Sequence, residues 1–74
     1  MAEPIDFALR GDFVTLAALL KASGMAGSGG EAKILATSGD VRVNGEPESR
    51  RGRKLRAGDE VAVGDARIRV RADD

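Results

Sequence analysis

Gly27-Ser28-Gly29-Gly30-Glu31-Ala32-Lys33-Ile34-Leu35-Ala36-Thr37-Ser38-Gly39-Asp40-Val41-Arg42-Val43-Asn44-Gly45 is the stretch that decides the fold. Ser28, with Glu31 three residues on, forms a capping box. It predicts a helix from about Gly29 to Ser38, with Ala32, Leu35 and Ala36 as a narrow apolar face and Ile34 beside it. Gly39 follows as the residue that leaves the helix. The period then changes. Val41 and Val43 point one way and Arg42 the other, and Asn44-Gly45 is the strongest two-residue hairpin signal. One segment thus passes from helical to strand spacing, which places the chain in the α+β class.

The flanks extend this reading. Ile5, Phe7 and Leu9 alternate with Asp6 and Ala8, as in a short strand that Gly11-Asp12 breaks. Phe13 to Ala22 reads as a first helix with Asp12 as its N-cap. Phe13, Leu16, Leu19 and Leu20 share its apolar stripe, and Lys21 suits the negative end of the helix dipole. Ser23-Gly24 closes it. Beyond the hairpin, Val61 and Val63 share one face, Gly64-Asp65 turns the chain, and Arg67 to Arg71 alternates with Ile68 and Val70 inward. The expected architecture is a helix pair packed on a small antiparallel sheet.

At 74 residues there is room for one domain, spanning 1–74 with a core of about 5–71. Such a chain has a modest core, and its stability belongs near the low end of the usual ~5–15 kcal/mol. The two Phe are the only aromatics, so an aliphatic core anchored by one or both of them is expected. Cys and His are both absent, which removes disulfides, thiolate metal sites and the commonest general base. No nucleophile–base pair, metal cluster or Walker-type loop is visible, so neither enzyme activity nor a cofactor is expected. The start of the chain lacks the positive end and apolar run of a secretory signal. No stretch approaches the ~18 apolar residues of a membrane helix, and a cytoplasmic protein is expected.

Charge supplies the functional signal. Twelve basic residues balance twelve acidic ones. Yet Arg42, Arg50, Arg51, Arg53, Lys54 and Arg56 all fall between Val41 and Arg56, against Glu46 and Glu48. Crowded like charges repel, and a polyanion relieves that repulsion; the competing reading is a solvated charged loop partly neutralised by Glu46 and Glu48. Arg presents a planar fork that can take two phosphate oxygens.

Four motifs in order carry a resemblance: Leu16-x-x-Leu19-Leu20-Lys21, Ser28-Gly29-Gly30-Glu31-Ala32-Lys33, Gly39-Asp40-Val41-Arg42-Val43-Asn44-Gly45 and Gly58-Asp59-x-Val61. Together they resemble the RNA-binding domain named after ribosomal protein S4. The Arg-Arg-Gly-x-Lys-Leu block at 50–55 is similar to that of its stand-alone bacterial members of the YaaA/YbcJ type. The resemblance implies an αL-type fold with a basic face that grips structured RNA, ribosomal or tRNA-like, and association with the ribosome. Many members carry Arg directly after the capping Ser. Here that residue is Gly29.

The candidate RNA-binding set, expected to form one continuous basic face from the start of the second helix and the Arg-rich hairpin, is Lys21, Ser28, Gly29, Gly30, Lys33, Arg42, Asn44, Arg50, Arg51, Arg53 and Lys54. A helix N-terminus attracts anions through its unpartnered N–H groups, and Gly29 and Gly30 allow close approach. The competing reading there is a plain turn, with Ser28 and Glu31 satisfying those groups. Asn44 can hydrogen-bond a sugar or base, or serve the turn alone. Arg67, Arg69 and Arg71 read as a solvent face that protects a strand edge. With both Phe assigned to the core, no aromatic remains to stack on loose bases, so folded RNA is favoured over single strands. Two alternatives stay open: a protein-interaction module docking an acidic partner, and a helix-turn-helix DNA binder. Oligomeric state has no signal in the chain.

Overall fold

The computed structural model of the chain describes residues 4–72. The polar start from Met1 to Glu3, and Asp73 and Asp74, lie outside the described residues. The elements run β1 (Ile5–Leu9), β2 (Val14–Thr15), α1 (Leu16–Ala22), α2 (Gly29–Ala36), β3 (Val41–Val43), β4 (Glu46–Pro47), β5 (Lys54–Leu55), β6 (Glu60–Val63) and β7 (Ala66–Ala72). Five strands form one sheet in the order β1-β7-β6-β3-β4, and β2 and β5 form a separate ribbon. The α+β architecture is as expected. The sheet, however, is mixed: β1 runs parallel to β7, while the other pairs are antiparallel. A pairing between the two ends of a chain leaves no local turn signal.

The first helix begins later than its apolar spacing predicts. Phe13 lies outside it, Val14 and Thr15 pair with Leu55 and Lys54, and the N-cap is Thr15 rather than Asp12. The Ala18 N–H donates to Thr15 Oγ1 at 3.2 Å. A β-branched residue loses side-chain freedom in a helix yet caps one well, and the ribbon uses both properties. Alternation then turns Val14 toward the core and Phe13 outward, with 41% of Phe13 exposed. The expectation that Phe13 anchors the core is thus overturned, and Phe7 packs only partly buried against it.

Leu16, Leu19 and Leu20 of α1 and Ala32 and Ala36 of α2 bury against Val41, Val43, Val61, Ile68 and Val70 of the sheet. Leu55 of the ribbon is fully buried in the same cluster. The helices therefore cover one face of the sheet and leave the other to solvent. Gly24 has φ +85 just beyond α1, a conformation that costs a residue with a Cβ but not glycine. Three residues before α2 begins, the Ala26 N–H donates to the Leu20 carbonyl at 3.0 Å, pinning the linker to the end of α1. Among the described residues no helix is long and apolar enough to cross a membrane.

Candidate nucleic-acid interface

The Arg-rich segment is a built loop. The Arg53 N–H donates to the Arg50 carbonyl (3.1 Å), closing a turn around Arg51 and Gly52. The same turn caps α1, since Leu16 N–H donates to the Arg53 carbonyl and Ala17 N–H to the Arg51 carbonyl, both at 2.9 Å. These are N–H groups at the start of the helix, which lack partners within it. Backbone carbonyls of the turn thus serve the fold.

Glu48 organises two of those side chains. Its carboxylate accepts from the N–H groups of Ser49 and Arg50, from Arg50 Nε and Nη2 (both 3.1 Å) and from Arg53 Nη1 (2.8 Å). Glu48 is only 8% exposed. The hydrogen bonds from Arg50 and Arg53 outweigh its desolvation and lower its pKa from 4.5 to about 2. One acid therefore neutralises part of the cluster and fixes the orientation of two guanidinium groups. Arg50 remains well exposed and Arg53 half-buried. Arg51 is exposed and has no hydrogen bond or ion pair from its side chain among the described residues. Lys54 takes a different contact, its Nζ standing 4.9 Å from the centroid of the Phe13 ring. An open groove is lined by Arg50, Gly52, Arg53 and Lys54.

The other candidates fall into two further groups. Ser28 Oγ accepts from the Glu31 N–H (3.2 Å), and Glu31 Oε2 accepts from the Gly27 N–H (2.8 Å). The box forms, but its return bond reaches one residue before the cap. The N–H groups of Gly29 and Gly30 are left without a partner among the described residues. Lys21 and Lys33 are exposed near this point in the chain, in the last turn of α1 and in α2. This group follows the C-terminal end of α1, whereas the Arg turn caps its N-terminal end. Seven residues of helix, roughly 10 Å, separate the two ends.

Arg42 and Asn44 form the third group. Val41 and Val43 are buried, so Arg42 faces out from the side of the sheet opposite the helices. There it pairs in register with Ala62, which in turn pairs with Arg67. Asn44 is held within the fold. It sits at φ +53 in the hairpin turn, its Nδ2 donates to Asp59 Oδ1 (3.0 Å), and its Oδ1 accepts from the Glu60 N–H (2.9 Å). Asp59 also accepts from the Arg56 N–H (2.8 Å), and that bond foremost holds its carboxyl below the ordinary range. The geometry of Asn44 matches the turn-chemistry alternative.

The S4 domain family model matches residues 7–71, nearly the whole described chain. This chain belongs to the S4 domain family. A curated relative, "Probable ribosome maturation protein RlbA" of Bacillus subtilis (strain 168), is 43% identical over 63 residues, covering 85% of this chain and 86% of the relative. As an S4 domain, the chain keeps the helix pair and sheet that its motifs implied. Two features of its candidate site were not read from the sequence. Phe13 joins Lys54 at the surface, and Glu48 clamps the Arg turn. The position of Glu48, the acid nearest the start of the cationic run, was a legible signal for it. Phe13 gave none, because its spacing fits a helix equally well.

Proposed function

We propose that this S4 domain is a non-catalytic, cytoplasmic RNA-binding protein that grips structured RNA, ribosomal or tRNA-like, and works in association with the ribosome. The observation that carries this reading is the clamped Arg turn. Five cations lie between Arg50 and Arg56, and the neighbouring Glu48 neutralises one unit of that charge while holding Arg50 and Arg53 in place. Pre-ordered guanidinium groups lose less freedom on meeting phosphate than a mobile loop would. Family membership and the ribosome-maturation name of the relative point the same way. Arg51 is the side chain assigned to phosphate first, with Arg50, Arg53 and Lys54 beside it. Lys21, Lys33 and the Gly29–Gly30 N–H groups extend the contact along α1.

The DNA reading draws less support. Just beyond α2, Thr37 Oγ1 donates to the carbonyls of Lys33 and Ile34, and Ser38 Oγ donates to that of Leu35. Those hydroxyls are turned back onto the helix, which leaves α2 poor in groups that read base edges. The deciding experiment titrates the protein with an RNA hairpin, an unstructured oligoribonucleotide and a DNA duplex at one salt concentration. Tightest binding to the hairpin is expected. Equal binding to all three would reduce the interaction to general electrostatics and remove this reading, and capture of protein partners that survives nuclease treatment would replace it with the acidic-partner alternative.

A further inference from the structure

We propose that Phe13 and Lys54 form a stacking platform that takes one unpaired nucleotide of a structured RNA, an inference that rests on the RNA-binding reading above. A single exposed apolar side chain is ordinary. Three observations make Phe13 more than that. It is one of only two aromatic residues in the chain, and while Phe7 packs partly buried against the aliphatic core, Phe13 stands 41% exposed. Its ring already holds a cation, the Lys54 ammonium at 4.9 Å. Lys54 also lines the groove it shares with Arg50, Gly52 and Arg53, so the ring borders the cationic turn. An aromatic face joined to a positive groove is the combination that binds unstacked bases, the ring taking the base and the cations its phosphates.

The placement is built into the backbone. Thr15 pairs with Lys54 and Val14 with Leu55, and Leu55 is fully buried. The ribbon is therefore anchored from below and sets Lys54 beside Phe13. The ligand class that follows is a folded RNA with a bulged or flipped-out base, rather than a uniform helix or a free single strand.

The test uses two RNA hairpins closed by the same GAAA tetraloop and differing by one bulged adenosine. The wild-type protein is expected to prefer the bulged hairpin by about 10-fold. Phe13→Leu should abolish the preference while leaving affinity for the fully paired hairpin within about twofold, since the ring adds stacking and not phosphate contact. Phe13→Trp should keep the preference. As the chain has no other Trp, the indole emission of that variant should change with the bulged hairpin only. Binding of both hairpins with no preference, or equal weakening of both by Phe13→Leu, would overturn the platform and leave the RNA reading standing. Failure to bind either hairpin would remove the RNA reading and this inference with it.

Discussion

Glu48 shows how one residue changes the meaning of a cationic run. By composition, residues 50–56 are a repelling block. In the fold the block is ordered around a carboxylate that accepts from Arg50 and Arg53. Its lowered pKa has a consequence for stability. The folded value is about 2 against an ordinary 4.5, so this contribution is complete above about pH 4.5 and is lost as pH falls toward 2. Glu48→Gln is expected to lower stability by about 2 kcal/mol at neutral pH. It should also flatten the decline below pH 4.5, both read from urea midpoints across a pH series. The Arg residues should divide accordingly. Arg51→Ala should weaken hairpin binding without moving the midpoint, because its side chain serves no partner among the described residues. Arg53→Ala should do both, since it leaves Glu48 short of a donor. Equal behaviour of the two variants would argue against the clamp.

Among the elements, the two hairpin-forming turns and the helix starts do different work. The Asn44-Gly45 turn is structural. Asn44→Ala places a Cβ-bearing residue without amide bonds at φ +53, and a loss of about 2 kcal/mol is expected by thermal or urea unfolding. Hairpin affinity of the folded variant should stay unchanged. The start of α2 is different. A Cβ built at Gly29 meets no atom within 4 Å, and its φ is not left-handed. Gly29→Arg, the residue many S4 domains carry there, should therefore fold normally. Relief of the glycine entropy should raise stability by up to about 1 kcal/mol. If α2 faces the RNA, affinity should rise several-fold in the same titration. An unchanged affinity would confine the contact to the Arg turn.

Such elements were unequally legible in the sequence. The α2 start, the β3–β4 hairpin and the β6–β7 pair carry local signals: a cap, an Asn-Gly turn, a clean alternation. The β2–β5 ribbon carries none, because each strand is two residues long and one lies inside a charged run. That omission had a cost. Reading Phe13 as helical assigned it to the core and left the surface without an aromatic residue. Strand alternation at Val14 and Thr15 reverses both conclusions.

For the whole molecule, a formal net charge of zero conceals polarity. Binding should follow the local cluster and not the total. Log affinity for an RNA hairpin should fall linearly with log salt, and the slope should drop by roughly 0.7–0.9 for each phosphate contact removed. Arg51→Ala should show that change in slope. Arg67→Ala, on the sheet face away from the helices, should not. Matching losses from both would mean that the entire surface acts as one diffuse field.

Local order was written in the chain: two short helices, the Ser28 cap of the second, the Asn-Gly hairpin and the alternating strands, because each depends on contacts within a few residues. Membership of the S4 domain family was legible from the same motifs. Tertiary structure alone decided that β1 joins β7 in parallel, that α1 starts at Leu16 under the carbonyls of the Arg turn, that Arg42 and the Gly29 segment face different regions, and that Phe13 stands at the surface beside Lys54. Each of these brings together residues far apart in sequence, and such contacts form only when burial of the shared aliphatic core offsets the entropy of closing the intervening loops.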